Sequence, residues 1–529
     1  MASSIRFSQI LCLSFMLLRF QVQSSSPSQS SPDSSPHLCR PEERSALLDF
    51  KSTTNFMEYC PWGARPIIQT WNEGKDCCLW EDITCDKVKG HVIGLDLSGN
   101  CLKANLTTNS SLFHLEKLQS LNLAYNDFSF PNLSFGFDHW KSLTYLNLSD
   151  SMYVHGSLPF DESFMLPKLV SLDLFSNYGF LDNINFQMLV HNLTELRFLI
   201  LDTVNMSRVV PSSLLNLTSS LENLSLRYCN LQGNFPNQVF QLPSLRLLDL
   251  SYNSHLGGEL PHSIRNLKLL KELDLQNCQF YGSILGSLAN LTEITELDFS
   301  SNHLRGQIPD VFGKMHKLTY LSFYNNSFDG EIPTSIFNLT DLTNLTLSSN
   351  KLIGPLPHNI SGLSFLQEFL MDNNFITGHV PSWLFFLPSL SYLHLENNCL
   401  TGTIHHVEMP NLLLQEVYLS NNEISGSIPS SFFHLVNLTA VDFSSNNLSG
   451  TITANMLSKL VNLWYLDLSN NSLLSLSNNG TAVNYSFPNL GCFKFSSCNI
   501  HKFPSFLRKA KKLQELDISK NKISGQIHK

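Results

Sequence analysis

The sequence predicts an α/β solenoid, and three observations point to it. An asparagine recurs at Asn302, Asn326, Asn350, Asn374, Asn398, Asn422 and Asn446, each 24 residues after the last. Each follows the same apolar pattern, which over one unit reads Leu342-x-x-Leu345-x-Leu347-x-x-Asn350-x-Leu352-x-Gly354-x-Leu356-Pro357. The chain, at 529 residues, far exceeds one ordinary core. A fixed period of this length means that each unit buries its apolar side only against its neighbours, so the core grows with the chain.

Taken in order, residues 1–23 read as a secretory signal, with Arg6 in a short polar start and an apolar run from Ile10 to Leu18 before Arg19. Cleavage is expected near Ser24. Residues 24–38, SSSPSQSSPDSSP and the two that follow, form a Ser/Pro-rich leader with nothing to anchor a core. Residues 39–89 change character. Ala46, Leu47 and Phe50 share one helical face behind Pro41, with Glu42 and Glu43 in the first turn. The stretch Trp71 to Cys85 then brings three cysteines and two tryptophans together. A solenoid end exposes an apolar cross-section, and a disulfide-stapled cap covers it in an oxidising compartment.

Residues 90–529 hold about 18 repeats, the last one incomplete. The Asn position falls on Asn100, Asn126, Ser151, Asn177, Val204, Cys229, Asn253 and Cys278 before the regular stretch, and on Asn471, Cys498 and Asn521 after it. An asparagine amide there satisfies backbone groups of its own coil and the next, giving a ladder of hydrogen bonds inside the solenoid. Cys or Ser does part of this. Val204 does not, so either Asn205 is bulged into the register or that rung is missing. Cys229, Cys278 and Cys498 read as small buried hydrophobes with a weak donor. Gly306-Gln307-Ile308-Pro309, Gly330-Glu331-Ile332-Pro333 and Gly426-Ser427-Ile428-Pro429 mark a tight return path, with proline deleting an amide.

The repeat unit is the leucine-rich-repeat signature. SALLDFKS, CCLWEDITC and HVIGLDLSGNCL resemble the N-terminal cap of plant extracellular leucine-rich-repeat receptors. That resemblance implies the pairs Cys39–Cys77 and Cys78–Cys85, and adjacent Cys77 and Cys78 do not easily pair with each other. Cys60 and Cys101 remain, with a mutual bond as one option; Cys492 and Cys498 pair only if their repeat is distorted. The family usually has Gly at Asp82. The Gly-x-Ile-Pro form resembles the plant-type repeat, which implies a twisted right-handed superhelix with parallel strands on the concave face and short helices on the convex side. Residues 472–529 resemble later repeats of plant receptor-like proteins, which have this ectodomain and no kinase.

The resemblance implies non-enzymatic recognition of an extracellular peptide, protein or glycan in defence or development, with a membrane kinase as co-receptor. It places the full-length family member on the outer face of the plasma membrane. The chain as written is expected to be extracellular, since no later stretch reaches the roughly 18 apolar residues of a membrane helix. It stops inside a repeat, leaving Leu516, Ile518, Ile523 and Ile527 without a following coil, so a truncated product or partial gene model is expected. The alternative reading is a secreted inhibitor or decoy of the polygalacturonase-inhibitor type, acting by occlusion.

The net charge of -9 is spread along the chain, and no basic stripe with interleaved aromatics suits nucleic acid. No phosphate loop, kinase catalytic loop or Gly-x-Ser-x-Gly is present, and no cofactor or metal is expected. His405-His406-Val407-Glu408 reads as a solvated loop, and Arg508-Lys509-Ala510-Lys511-Lys512 as a solvated convex face. N-glycosylation sequons occur at Asn105, Asn109, Asn132, Asn147, Asn192, Asn205, Asn216, Asn223, Asn290, Asn325, Asn338, Asn344, Asn359, Asn437, Asn447, Asn470, Asn479 and Asn484.

Side chains alternate along a strand, so the x residues of Leu-x-x-Leu-x-Leu face the concave surface in ladders. One runs Asp298, Ser322, Thr346, Leu370, His394, Tyr418, Asp442, Asp467; its neighbour runs Glu296, Tyr320, Asn344, Glu368, Tyr392, Glu416, Ala440, Tyr465. Tyr392, His394, Tyr418 and Tyr465 are the candidate ligand-binding residues. Sequons at Asn147, Asn223 and Asn344 fall on predicted concave strands, which directs binding to the span between Leu370 and Tyr465.

Overall fold

The computed structural model describes residues 39–58, 60, 65–103, 109–128, 136–151, 158, 164–177, 179–284, 286–406, 411–477 and 485–524. The signal and leader, Val407 and Glu408, Ile527 and the sequons at Asn105, Asn132, Asn479 and Asn484 lie outside those residues.

One short strand per coil builds the concave sheet. Among the described residues 18 parallel strands run from Val92–Asp96 to Glu515–Asp517, and the antiparallel strand Ile83–Cys85 adds the cap to the first of them. The sheet is open, each coil pairing with the next in sequence. Most strands last three residues because the chain turns sharply just beyond. The residue before each Asn position adopts a left-handed backbone, as at Ser301 (φ 52°), Asn325 (53°) and Ser349 (57°). The strand leucines point inward and stack in register, Leu273 against Leu297 against Leu321 against Leu345, all buried.

The asparagine ladder is present. Asn350 Oδ1 accepts the Phe328 amide of the preceding coil at 3.0 Å, while Nδ2 donates to the carbonyls of Phe323, Leu347 and Ser348 at 2.8, 3.1 and 3.2 Å. At Cys229 the thiol donates to Leu201 O at 3.1 Å, and the Cys229 carbonyl itself accepts the Met206 amide at 2.7 Å. Val204 keeps the register: Thr203 before it has the left-handed φ of 67°, and strand Phe198–Ile200 pairs in step on both sides. Asn205 is therefore not bulged in, and Val204 is a missing rung filled by a fully buried apolar side chain.

A second parallel sheet follows the turn. Seven strands, Gln232–Asn234 to Phe375–Thr377, form one part and four, Thr401–Thr403 to Leu473–Ser477, the other. Gly330 sits in it at φ 74°, where a Cβ would lie 2.8 Å from Gln307 Cγ. The convex connections are mostly single 3-10 turns such as Thr334–Asn338 and Ser430–His434, because a 24-residue coil leaves room for little more. α-Helices occur there at Asn183–Asn192 and Ala454–Leu457.

The cap is stapled as the resemblance implies, by Cys39–Cys77 and Cys78–Cys85, and Cys60 bonds Cys101 at a Cα separation of 5.3 Å. Asp82 has a φ of 67°, the conformation that favours glycine, so the turn forms with the Asp in place. Helix Pro41–Thr53 is tied to the first repeat by buried Glu43, whose carboxylate accepts the Val92 amide at 2.8 Å and lies 2.9 Å from His91 Nδ1. Trp71 and Trp80 stack at 5.1 Å. Cys492 and Cys498 are both free and buried, because their repeat is undistorted.

Candidate functional site

The two concave ladders pair rung by rung as read from the sequence, Asp298 through Asp467 in one column and Glu296 through Tyr465 in the other. The first column also has a job inside the fold. Where it carries Asp or Asn, Oδ1 accepts the amide two residues on and braces the strand's exit. Asp249 does this to Ser251, Asp274 to Gln276 and Asp298 to Ser300, each at 2.8 Å; Asp442 and Asp467 do it to Ser444 and Ser469 at 2.9 Å. Ser322, Thr346, Leu370, His394 and Tyr418 break that run. These side chains are not committed to their own turn by a carboxylate or amide.

His394 and Tyr418 meet in this break, with ring centroids 4.6 Å apart, and His394 Nε2 lies 3.5 Å from Glu416 Oε2. Beside them opens a cavity of about 400 Å³ lined by Glu396, Glu416, Tyr418, Asp442, Trp464 and Tyr465. Tyr465 also faces Lys494, whose ammonium sits 5.7 Å from the ring centroid. Tyr392 is half-buried one rung from Glu416 and does not line the cavity. Trp464, 51% exposed, was not among the residues singled out from sequence. It sits just ahead of the two ladders, and the consecutive aromatics Trp464-Tyr465 were the available signal.

Burial sets the electrostatics. It pushes the Tyr418 phenol up to about 12, helped by Glu416, and the Glu396 carboxyl up to about 7, helped by Asp372. Burial also lowers His394 against the opposing pull of Glu416. Asp372, His394 and Glu396 bring three ligand-type atoms within 4.8 Å of one another, the donor set a divalent cation takes. The His394 and Glu396 shifts run in opposite directions, His394 lowered and Glu396 raised, and burial is the largest cause of both.

Of the sequons on the concave strands, Asn147 and Asn344 are only 7% and 5% exposed, and Asn223 is half-buried. A glycan at the first two would displace sheet packing. Asn192 is half-buried, and Asn109, Asn205, Asn216, Asn290, Asn325, Asn338, Asn359, Asn437, Asn447 and Asn470 are exposed. His405 and His406 are exposed, as is the basic cluster apart from Ala510.

Known proteins share this architecture. Family profiles match three segments: "Leucine rich repeat N-terminal domain" at residues 40–86, "Leucine-rich repeat region" at 172–399 and "Leucine rich repeat" at 413–473. Receptor-like protein 6 of Arabidopsis thaliana is 38% identical over 279 residues, covering 49% of this chain and 27% of that protein. Receptor-like protein Cf-9 of Solanum pimpinellifolium is 36% identical over 238 residues, covering 43% and 27%. A solved structure described as a TDR receptor is 30% identical, covers 81% of this chain and 76% of its own, and superposes with a TM-score of 0.68. The chain belongs to the plant leucine-rich-repeat receptor-like family. This receptor-like chain spans about a quarter to a third of the length of the curated relatives named first, 27% of Receptor-like protein 6 and 33% of Receptor-like protein 9DC1. The Arabidopsis receptor kinase HAESA, solved in complex with the peptide hormone IDA and the co-receptor SERK1, is 25% identical, with 92% of this chain and 95% of that one covered and a TM-score of 0.66. Among the described residues no helix is long and apolar enough to cross a membrane.

Proposed function

We propose that this receptor-like chain recognises an extracellular peptide, protein or glycan on its concave sheet between Leu370 and Tyr465, in defence or developmental signalling. The observation that carries this reading is the coincidence of two features. The Asp/Asn brace lapses at Ser322 to Tyr418, and the aromatic-lined cavity around Tyr418, Trp464 and Tyr465 opens at the end of that lapse. Aromatic side chains on a rigid sheet offer large contact area at low entropic cost. Support comes from the solved relatives, since HAESA and the peptide hormone receptor RGFR1 are both described in complex with peptide hormones. The chain's part is binding, without catalysis, at the outer face of the plasma membrane in the full-length family member, and signalling requires a separate membrane kinase partner.

Hydrogen exchange tests the placement. The secreted chain is incubated with the peptide fraction of extracellular fluid from its source tissue, and amide exchange is mapped by mass spectrometry. Slowed exchange from strand Glu368–Leu370 to strand Tyr465–Asp467 is expected. Protection confined to the convex 3-10 turns overturns the reading.

A further inference from the structure

Gly491 is the seat of an exposed indole. Its amide donates to the Trp464 carbonyl of the preceding coil at 2.9 Å, and a Cβ on it would stand 2.2 Å from Trp464 Nε1. The backbone does not call for glycine here, since Gly491 is not among the left-handed glycines. Its missing side chain serves the indole, which is half-exposed and lines the aromatic cavity. Tyr465 lies beside Trp464 with ring planes 27° apart and centroids 6.4 Å apart, an offset and nearly parallel pair. Together the two rings make a plate, not a cage. The cavity over them, about 400 Å³, is at the small end of ligand pockets, which run to roughly 300–1,000 Å³.

The polar part of the lining is acidic. Glu396, Glu416 and Asp442 bring carboxylates, and no lysine, arginine or histidine is among the described lining residues. Asp442 Oδ1 holds the Ser444 amide and Glu416 Oε2 faces His394, and the roughly four acceptor sites of a carboxylate leave room on both. Carboxylates accept and do not donate, so a matching ligand brings donors and no negative charge. A basic side chain would do so, but the cation's place over Tyr465 is already filled: Lys494 Nζ stands 5.7 Å from the ring centroid, held by Glu515 Oε1 at 2.8 Å. A pyranose ring meets the same demand differently. Its C–H bonds form an apolar face that packs on the negative π face of an indole or phenol, while the hydroxyls round its rim donate to carboxylates.

We infer that this cavity seats a neutral hexopyranose unit of an oligosaccharide, its ring flat on Trp464 and Tyr465 and its hydroxyls directed at Glu396, Glu416 and Asp442. This rests on the reading of the concave face as the ligand surface and names the ligand class at one end of it. Acidic sugars such as galacturonate are disfavoured by the same carboxylates. Gly491 is a positioning residue, acting through the indole that lies on it.

The test uses the purified full chain, calorimetric titration, neutral hexasaccharides of glucose, mannose and N-acetylglucosamine, and hexagalacturonate as the anionic arm. A neutral hexasaccharide is expected to bind about tenfold tighter than hexagalacturonate or more. Trp464→Ala should weaken that binding about tenfold or more. Gly491→Ala should weaken it too while leaving the urea midpoint in place, and should add nothing in the Trp464→Ala background, because both changes act on one ring. Absence of neutral-sugar binding, hexagalacturonate binding as tightly, binding that survives Trp464→Ala, or a Gly491→Ala loss that persists without the indole each overturns the inference. Protection of the concave strands by the peptide fraction with no neutral sugar bound overturns the sugar seat alone; neither protection nor sugar binding overturns both readings.

Discussion

Asn302 holds the Phe280 amide of the preceding coil at 2.9 Å and, through its other side-chain atom, the Leu275 carbonyl at 2.7 Å. This two-sided grip repeats up the solenoid and makes each rung a shared property of two coils. Asn350→Ala would leave buried donors and acceptors of both coils unsatisfied. A loss of about 2–4 kcal/mol is expected, from the cost of unpaired buried polar groups. Urea unfolding followed by hydrogen exchange checks it, with the fastest opening in coils 328–352, whereas Val204→Ala, at a rung with no amide, should open only by its lost packing.

The thiols at the Asn positions should be chemically silent. Burial pushes Cys278 up to about 12 and Cys229 well above its usual range, and both donate to backbone carbonyls. Iodoacetamide on the native protein should label half-buried Cys399 first and leave Cys229 and Cys278 untouched until denaturant is added. Mass spectrometry of the digest reads this directly. Labelling of Cys229 at the rate of Cys399 would contradict it.

The acidic rungs make stability depend on pH. Burial raises Asp173 and Asp298 to about 6 and Asp202, Glu272 and Glu396 to about 7, against unfolded values near 4. Between those limits the folded chain holds protons that the unfolded chain has released. Stability from these groups is therefore greatest below about pH 4 and is lost as pH rises through 6 to 7. Exposed Glu515 and half-buried Glu293 and Asp517 are lowered by their partners and act in the opposite sense at the acidic end. The urea midpoint should fall between about pH 5 and pH 7.5, and Asp202→Asn should flatten the fall, since Ser225 Oγ and the Arg227 amide both bond the one oxygen Oδ1.

Tyr418→Ala and Tyr465→Ala should each weaken ligand binding by about tenfold or more, the range of aromatic anchors in a pocket. Tyr281→Ala, exposed on a second-sheet strand, should leave it unchanged. Equal effects from all three would mean that the cavity has no special part.

The solenoid was legible because its signal repeats. Each Asn, each strand leucine and the cap motif can be placed from the repeat pattern alone, and the strand pairing follows those positions. What escaped has physical reasons. Alternation along a strand says that Asp298 faces out, but not that its oxygen is already held by Ser300. The Val204 register turns on the left-handed Thr203, a residue type that gives no warning. Cys60 meets Cys101 only once the cap has folded against the first repeat, which no spacing rule supplies. Trp464 carries no ladder signal, because it stands one residue ahead of the two alternating columns, yet it lines the cavity.

The two parts of the second sheet join through the bridge between His379 and Thr401, while the concave sheet runs past the same point without interruption. Mechanically the coiled rod resembles a beam with one continuous flange and one that narrows abruptly. The narrowing lies directly behind the strand Tyr392–His394. A ligand laid across that strand and into the aromatic cavity would act as a splint, converting a local contact into a change in the curvature of the whole rod.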